Sequence, residues 1–357
     1  MFEHIREWDD WRWQLRHRIR TVDQLEKYIE LDKAERRMLL DTARRLRWAI
    51  TPYYARLMDP TDRRDPLRVQ MVPSVHEWEH RAEAGDPQDE RAHSPVPSIV
   101  RLYPDRVAFK VVYVCPAYCR YCFRDYYVGR SDRTCSREAL RAGIEYIRGD
   151  RTIRDVLVTG GDPLMLSDRR LEGILAELRA IRHVEILRIG SRAPCTLPQR
   201  ITPDLCTMLA RYHPLYLNTQ FNHPREITPE ATQACARLAD VGIPLGNQSV
   251  LLRGVNDHPE TMTALVRALL RIRIRPYYLF HCQTFPGVEH LRVPIEQGLE
   301  IIQRLRGYVS GLGVPTYMLD TPYGKVPLTP RYMLGREGDT IAVRTHTGQV
   351  WRAFDPP

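Results

Sequence analysis

The sequence predicts an α/β protein built on a parallel β-sheet that helices cover. Between residues 106 and 307, six apolar segments rich in β-branched residues alternate with six segments of helical periodicity. Strands that run parallel to their neighbours need helical crossovers of this kind. Six such units form an open sheet or an incomplete barrel, and in both architectures ligands bind at the carboxyl ends of the strands.

The predicted strands and helices of this core follow from the alternation. Strands are predicted at 106–114, 155–161, 184–191, 214–221, 243–252 and 275–282. Helices are predicted at 136–149, 168–181, 202–212, 228–242, 258–272 and 294–307. Three of these helices are predicted to have proline as their first helical residue, a position at which proline is favoured. The segments are Thr202-Pro203, Thr228-Pro229 and His258-Pro259. Thr202 and Thr228 are the predicted N-caps.

The regions on either side of the core have different patterns. The segment VDQLEKYIELDKAERRMLLDTARRLRWAI predicts helices, and the proline- and charge-rich segment AEAGDPQDERAHSPVPS that comes later predicts a linker. Beyond residue 312 the pattern changes to short strands and turns, with a hairpin predicted around His346-Thr347-Gly348. We therefore divide the chain into a helical region with linker at 1–95, a core at 96–311 and a C-terminal segment at 312–357.

Composition narrows the functional classes. The chain has 357 residues and a formal net charge of +9, and it contains neither a signal-peptide core nor a long uninterrupted apolar stretch. We expect a cytoplasmic protein without a membrane partner, in which disulfides are disfavoured. Many arginines lie in helical patterns such as AERRMLLDTARRLRW, where solvated helix faces are favoured over a nucleic-acid surface.

Three closely spaced cysteines are the strongest functional signal. Cys115, Cys119 and Cys122 lie in VYVCPAYCRYCFRDYY, directly after the first core strand. A structural zinc site needs four ligands, and no fourth cysteine follows at zinc-finger spacing. Three thiolates on a short loop suit a [4Fe-4S] cluster with one iron left open. The other cysteines are scattered and are expected to be core residues: Cys135, Cys195, Cys206, Cys235 and Cys282.

The CxxxCxxC pattern, with Tyr121 just before its last cysteine, resembles the radical S-adenosylmethionine (SAM) enzymes. The resemblance implies a radical SAM partial (β/α)6 barrel with an N-terminal helical extension and a small C-terminal β-rich segment. It also implies that the open iron binds the amino and carboxylate groups of SAM, which is cleaved to a 5′-deoxyadenosyl radical. Gly160, Gly161 and Asp162, in VTGGDP after the second strand, match the element that holds the SAM amino group. Taken alone, this tripeptide is more typical of a tight turn.

A longer resemblance, over roughly residues 100–330, is to the lysine 2,3-aminomutase family. The segments that carry it are YPDRV, CRYCFR, TGGDPL, RIGSR, LPQRIT, FNHP, LGNQSVLLRGVND, RPYY and SGLGVPTYMLDTP. The family also uses pyridoxal 5′-phosphate (PLP), and it implies an isomerase that converts an L-α-amino acid to a β-amino acid. An electron donor such as flavodoxin or ferredoxin is then expected to reduce the cluster.

The family resemblance assigns roles to single residues. Lys325, in DTPYGKVPL, is the predicted Schiff-base lysine for PLP, although Tyr323 stands where the family has glycine. Arg124 is the predicted partner of the substrate carboxylate. The further candidates are Arg106 at the PLP phosphate, Tyr103 stacked on the PLP ring, and Gln248, Ser191 and Arg192 lining the SAM and PLP pocket. His223 fits a structural role as well as a contact.

Two departures from the family concern the substrate and the assembly. Lysine-specific members bind the distal ammonium with two aspartates, and this chain has Asp320 at one position and Gln283 at the other. We rank lysine first as substrate, arginine next, and glutamate below because its carboxylate would lie near Asp320. His258 replaces a zinc cysteine and the sequence ends without further cysteines, so zinc is not expected, while a homo-oligomer still is.

Three alternatives remain open from the sequence. A radical SAM enzyme that modifies RNA or protein without PLP would make use of the positive charge and would not need Lys325. A relative that modifies lysine for elongation factor P is a narrower variant of the aminomutase. An iron-sulfur sensor or a zinc-stabilised binding module is a non-enzymatic alternative, which the combination of the GGD segment, Arg124 and Lys325 disfavours.

Overall fold

The protein is described from a computed structural model, which covers residues 7–79, 85–129, 135–345 and 347–354. Within these ranges the helices are α1 (Trp11–Arg16), α2 (Val22–Leu25), α3 (Lys33–Arg45), α4 (Pro52–Arg56), α5 (Pro66–Met71), α6 (His76–Glu79), α7 (Arg137–Gly149), α8 (Asp168–Arg179), α9 (Ala193–Thr196), α10 (Pro203–Ala210), α11 (Pro229–Asp240), α12 (Pro259–Arg271) and α13 (Ile295–Leu305). No described helix is long and apolar enough to span a membrane.

The strands form two sheets. They are β1 (Ile99–Val100), β2 (Arg106–Val112), β3 (Asp155–Gly160), β4 (Ile186–Gly190), β5 (Leu215–Thr219), β6 (Leu245–Leu251), β7 (Ile274–His281), β8 (Thr316–Thr321), β9 (Gly324–Leu328), β10 (Met333–Glu337), β11 (Thr340–Arg344) and β12 (Val350–Phe354). The first sheet has nine strands in sequence order from β1 to β9, and the second contains β10, β11 and β12.

The large sheet confirms the predicted fold class. Strands β2 to β8 are parallel to one another, and β1 and β9 add antiparallel edges. All six predicted core strands and their helices are present. The sheet stays open because β1 does not pair with β9, so it forms a curved partial barrel. β8 is a seventh parallel strand, which the sequence indicated only as one of several short C-terminal strands.

Local sequence signals account for where the helices begin. The hydroxyl of Thr202 accepts a hydrogen bond from the Leu205 amide, and that of Thr228 accepts one from the Ala231 amide. His258 precedes α12 without a side-chain cap, and Pro259 alone marks that start. Arg344 pairs with Val350 in the antiparallel β11–β12 hairpin, whose turn was predicted around residues 346–348, although His346 lies outside the described residues.

The N-terminal helices pack onto the barrel rather than standing apart from it. Ile19 and Leu25 belong to the same buried apolar cluster as Phe109 of β2 and Val158 of β3. Polar contacts reinforce this packing, since the Tyr54 hydroxyl donates to Glu226 Oε1 at 2.6 Å. Burial of a large apolar side chain contributes about 1.5–3 kcal/mol, so this shared core holds the helices against the sheet.

Candidate active site

A cavity of about 880 Å³ lies on the inner face of the curved sheet. Successive side chains of a strand point to opposite faces, so every second residue lines the cavity, as Asp155, Leu157 and Thr159 do in β3. The loop after β2 and the β8–β9 hairpin complete the wall. The residues predicted from the sequence that line the cavity are Tyr103, Arg106, Cys119, Cys122, Arg124, Gln248, Gln283, Asp320 and Lys325.

The three cysteines of the predicted cluster lie on the loop after β2. Cys119 and Cys122 line the cavity, and the Cys122 amide donates to the Cys119 carbonyl oxygen at 3.2 Å. Burial raises the pKa of the Cys115 thiol well above its usual value, and burial together with Cys119 raises the pKa of Cys122 to about 12. Iron bound at these thiols would lower their pKa and so favour the thiolates.

The spacing of the cysteines bears on the kind of metal. Among the described residues, no three histidine, cysteine or carboxylate side chains converge closely enough to hold a single ion. A [4Fe-4S] cluster does not need such convergence, because each cysteine ligates a different iron atom. The arrangement of the three thiols is thus compatible with a cluster.

Arg192 connects the cysteine loop to a buried polar network. Its Nη1 donates to Cys119 Sγ at 2.7 Å, and its Nη2 donates to Glu226 Oε1 at 2.8 Å and to Gln70 Oε1 at 2.7 Å. Burial by itself lowers the pKa of Arg192, but Cys119, Tyr121 and Glu226 raise it well above its usual value. Arg192 therefore stays positively charged beside the thiol that is predicted to bind iron.

Asp162 is held by internal hydrogen bonds. Its carboxylate accepts from the Ser191 hydroxyl at 2.8 Å, from the Arg192 amide at 2.9 Å and from the Leu164 amide at 3.0 Å. Burial raises its pKa, although these hydrogen bonds oppose the shift. The structure thus brings Asp162, Ser191 and Arg192 together beneath the cysteine loop, where Asp162 ties the end of β3 to the end of β4.

Gly160 and Gly161 allow the end of β3 to approach the cysteine loop closely. A Cβ atom at Gly160 would lie 2.3 Å from the Val112 carbonyl oxygen, and one at Gly161 would lie 2.5 Å from that of Val114. The Gly161 amide donates to the Val112 carbonyl oxygen at 2.6 Å. Only glycine fits such close backbone contacts.

Arg124 forms a buried ion pair. Its Nη2 and Nε donate to Glu90 Oε1 at 2.6 and 3.0 Å, and its Nη1 donates to the Thr159 hydroxyl at 2.9 Å. Burial alone would raise the pKa of Glu90, but Arg124 and the Tyr126 hydroxyl lower it below its usual value. Burial alone would lower the pKa of Arg124, but Glu90 raises it. Both groups are therefore charged.

Lys325 and Asp320 lie opposite each other across the β8–β9 hairpin. Lys325 Nζ donates to Asp320 Oδ1 at 2.7 Å, and the side-chain amides of Gln88 and Gln283 each donate to Oδ2 at 3.1 Å. The Asp320 side chain is only 8% exposed. The predicted lysine, the predicted aspartate and Gln283 thus meet at one point of the cavity.

Tyr103 and Arg106 form the wall next to this lysine. The Tyr103 hydroxyl accepts a hydrogen bond from the Lys325 amide at 2.8 Å, and the Arg106 guanidinium lies 4.1 Å from the centre of the Tyr103 ring. Gly324 packs against the Tyr103 hydroxyl with φ +126°, and the departing residue Tyr323 is 94% exposed. The hairpin therefore turns tightly at Gly324 while Tyr323 points to solvent.

Gln88 and Glu90 are among the cavity residues that were not predicted from the sequence. Gln88 and Glu90 lie in the segment that composition indicated as a linker, yet both line the cavity. The only available signal was a carboxylate among prolines before the first strand, which is also typical of solvated linkers. His223 has a structural role, because its Nδ1 accepts from the Arg225 amide at 3.2 Å and caps a short helix.

Comparison with known proteins places the chain in a family. Residues 109–266 match the radical SAM superfamily model, and residues 302–356 match the lysine-2,3-aminomutase model. The L-lysine 2,3-aminomutase of Clostridium subterminale is 49% identical over 98% of this chain and 85% of its own length. The L-lysine 2,3-aminomutase of Bacillus subtilis strain 168 is 45% identical over 98% of this chain and 75% of its own.

One similar relative has a different name. The glutamate 2,3-aminomutase of Clostridioides difficile strain 630 is 44% identical over 98% of this chain and 84% of its own length. Overall identity alone therefore does not separate the substrates of these relatives. Together with the cysteine loop and the lysine in the cavity, similarity of this extent shows that the protein belongs to the lysine 2,3-aminomutase family of radical SAM isomerases.

Proposed function

We propose that this isomerase is a 2,3-aminomutase that converts an L-α-amino acid with a positively charged side chain to the β-amino acid. The observation that carries the proposal is the arrangement of Arg124 and the Lys325–Asp320 pair on one cavity. We rank L-lysine first because the relatives include several L-lysine 2,3-aminomutases, and L-arginine second.

The cysteine loop fits the [4Fe-4S] cluster and SAM that this family uses. Cys115, Cys119 and Cys122 would hold three irons, and a low-potential donor such as flavodoxin or ferredoxin would reduce the cluster. We assign the SAM amino group to the peptide groups at Gly160 and Gly161, because the Asp162 carboxylate already accepts several internal hydrogen bonds. Ser191 and Arg192 then support this site through Asp162.

The hairpin lysine fits PLP. Lys325 would form the Schiff base, with Tyr103 against the ring and Arg106, 42% exposed and close to Tyr103, at the phosphate. Gln248 of β6 also lines the cavity. When bound, SAM on the cluster supplies the hydrogen-abstracting radical, and PLP supplies the π system through which nitrogen moves.

The chain's own residues orient the substrate from both ends. Three of the five N–H groups of Arg124 bond Glu90 and Thr159. The other two make no hydrogen bond to the described residues, and we assign them to the substrate carboxylate. Asp320 receives the distal cation of the side chain. Gln283 Oε1 is buried without a hydrogen-bond partner among the described residues, so a side-chain N–H of the substrate would satisfy it.

This arrangement disfavours glutamate. A substrate carboxylate beside Asp320 would place two negative charges in a poorly solvated cavity, which is unfavourable by several kcal/mol unless a proton or cation intervenes. Only Lys325 supplies a nearby cation to Asp320 in the described part of the chain, and we assign that lysine to PLP.

The test is an anaerobic assay of cluster-reconstituted protein with PLP, SAM and dithionite. L-Lysine, L-arginine and L-glutamate are supplied separately, and products are resolved by mass spectrometry after chiral derivatisation. We expect a β-amino acid from a basic substrate, and its loss in Lys325→Ala and Cys119→Ala. The matched control is Lys27→Ala, at an exposed lysine. Cleavage of SAM without a β-amino acid from any of the three would refute the proposal.

A further inference from the structure

The segment 85–93, between the N-terminal helices and the barrel, forms part of the cavity wall. Gln88, Glu90 and His93 all line the cavity. Gln88 contacts Asp320, 232 positions away in sequence, and Glu90 contacts Arg124, 34 positions away. One short segment therefore contacts both charged groups that we assign to the two ends of the substrate.

The backbone of this segment bends between Gln88, which contacts Asp320, and Glu90, which contacts Arg124. Asp89, between Gln88 and Glu90, has φ +50°, a left-handed conformation that aspartate tolerates better than most residues. The Arg91 amide donates to Asp86 Oδ2 at 2.9 Å, and the Ser94 hydroxyl donates to the Glu90 carbonyl oxygen at 2.6 Å. Internal hydrogen bonds on both sides of the bend thus fix the directions of Gln88 and Glu90.

At the carboxylate end, Glu90 fixes one side of the Arg124 guanidinium. Glu90 is 2% exposed, and its second oxygen accepts from the Tyr126 hydroxyl at 2.9 Å. The nearby Lys110 ammonium is also buried. Glu90 and Asp86 are the carboxylates that act on Lys110, and Arg124 is the other basic group nearby. Glu90 thus holds the remaining N–H groups of Arg124 in one orientation.

At the side-chain end, Gln88 and Gln283 donate hydrogen bonds to the same oxygen of Asp320. Both amides donate to Oδ2 at 3.1 Å, whereas Lys325 occupies Oδ1. A charge introduced at position 88 would therefore act directly on Asp320. Position 88 is placed to set how strongly the pocket prefers a positively charged side chain.

We propose that segment 85–93 recognises both ends of the substrate, with Gln88 as a specificity-determining residue and Glu90 as a positioning residue for Arg124. This inference rests on the proposed function, because it assumes an amino acid bound between Arg124 and Asp320. It assigns the role to a segment whose composition is that of a linker.

The test measures ligand binding without turnover. Holoenzyme with oxidised cluster, SAM and PLP is titrated with L-lysine, with cadaverine, which lacks the carboxylate, and with L-norleucine, which lacks the side-chain cation. L-Arginine and agmatine form a second set. The change in PLP absorbance gives each dissociation constant. The lysine-to-cadaverine preference reports the carboxylate end, and the lysine-to-norleucine preference reports the side-chain end.

We expect Glu90→Ala to lower the lysine-to-cadaverine preference about tenfold, because a released guanidinium must be ordered by the ligand. Glu90→Gln should restore most of it, since an amide oxygen can still accept from Arg124. The control is Glu185→Ala, at an exposed ion pair with Arg154. A preference that is unchanged or raised in Glu90→Ala would overturn the positioning role.

We expect Gln88→Lys to lower the lysine-to-norleucine preference about tenfold or more, because a fixed ammonium would neutralise Asp320. Gln303→Lys, at an exposed position of α13, adds the same charge away from the cavity and should change nothing. If wild type binds neither basic amino acid, the proposed function fails and this inference fails with it. If wild type discriminates and the variants discriminate equally, only the inference fails.

Discussion

At the scale of single residues, each charged group proposed to bind the substrate already has a protein partner. Lys325 pairs with Asp320 at 2.7 Å, and Arg124 pairs with Glu90 at 2.6 Å. A buried charge without a partner destabilises the folded protein, so these ion pairs stabilise the cavity when no substrate is bound. A ligand with one carboxylate and one distal cation would place its negative charge beside Arg124 and its positive charge beside Asp320. This matching of charges is the reason for proposing a basic rather than an acidic amino acid as the substrate.

Gln283→Asp tests the charge at the side-chain end. The new carboxylate would lie beside Asp320, and because two adjacent carboxylates repel each other, one of them keeps its proton to higher pH. At about pH 8 the pair would be ionised around a bound cation, and we expect L-lysine to bind about tenfold more tightly than in wild type. As the pH falls through the raised pKa of the pair, this gain should disappear.

The measurement is the dissociation constant of L-lysine, from PLP absorbance, over a range of pH. Gln303→Asp adds the same charge at an exposed position and serves as the control. Equal affinity and equal pH dependence in Gln283→Asp and wild type would contradict the placement of the substrate cation at Asp320.

The sequence predicted the residues whose spacing or family resemblance indicates a chemical role. It did not predict the residues that form hydrogen bonds with them. Cysteine spacing pointed to Cys115, Cys119 and Cys122, and family resemblance pointed to Arg124 and Lys325. The structure places Cys119, Cys122, Arg124 and Lys325 around one cavity, with Cys115 on the same loop but not in the cavity lining, while their roles remain predictions. Glu90 and Gln88 were missed because a contact across 34 or 232 positions leaves no trace in local composition.

At the scale of secondary structure elements, periodicity and capping predicted the six core strands and helices with only small errors at their ends. The first core strand ends at Val112 rather than Val114. The reason is tertiary, since the chain there leaves the sheet to form the cysteine loop, and its carbonyl groups bond Gly161 and Asp162. The parallel placement of β8 was missed because its short apolar run is also typical of an edge strand or hairpin.

Gly161→Ala tests the close approach of β3 to the cysteine loop. The added Cβ would lie 2.5 Å from the Val114 carbonyl oxygen, which is backbone and can move only if the loop moves. We expect a lower iron and sulfide content after reconstitution and a lower free energy of unfolding, by about 1–3 kcal/mol. Gly173→Ala in α8 is the matched control, because nothing lies within 4 Å of its Cβ. That change should stabilise by up to about 1 kcal/mol. Full cluster occupancy in Gly161→Ala would contradict this account.

His290 links a short helix after β7 to α6 and predicts a pH dependence of stability. Its ring lies 5.6 Å from that of His76, and burial, followed by the charge of His76, lowers its pKa to about 4. The unfolded chain binds this proton below about pH 6.5, whereas the folded chain binds it only below about pH 4. Stability therefore falls on acidification between these values, by at most roughly 3 kcal/mol from this group.

We expect His290→Gln to flatten this pH dependence. The measurement is the free energy of unfolding of the holoenzyme from anaerobic denaturant titrations at several pH values between about 4.5 and 7. His258→Gln, at a side chain that is 73% exposed, controls for the loss of a histidine. An unchanged slope in His290→Gln would show that other groups carry the acid sensitivity.

At the scale of the whole molecule, the N-terminal helical region holds the cysteine loop in place. The Arg18 guanidinium donates to the Cys115 carbonyl oxygen at 2.8 Å, and the Tyr118 amide donates to the Ala49 carbonyl oxygen at 3.0 Å. Periodicity predicted these helices but not where they dock, because docking depends on contacts that a single helix does not reveal. The region therefore contacts the loop that carries the predicted cluster cysteines as well as contributing to the core.

A further contact of the cysteine loop is a buried ion pair between Arg120, next to Cys119, and Glu77 of α6. Arg120 is 8% exposed and Glu77 3%, and Arg120 Nη2 lies 2.9 Å from Glu77 Oε2. Glu77→Gln would leave the guanidinium buried without a counter-charge. We expect a loss of about 3–5 kcal/mol in the free energy of unfolding. We also expect faster loss of iron to a chelator, because the loop that carries the cysteines is released.

The double variant Glu77→Gln/Arg120→Met distinguishes the two possible causes of the lost stability, an uncompensated charge and altered packing. If the uncompensated charge causes the loss, removing it should recover most of the stability, because an apolar side chain can replace a buried ion pair at little cost. Glu185→Gln, which breaks an exposed ion pair, should change stability by less than about 1 kcal/mol. Iron that is retained equally in wild type and Glu77→Gln would mean that the cysteine loop keeps its shape without this ion pair.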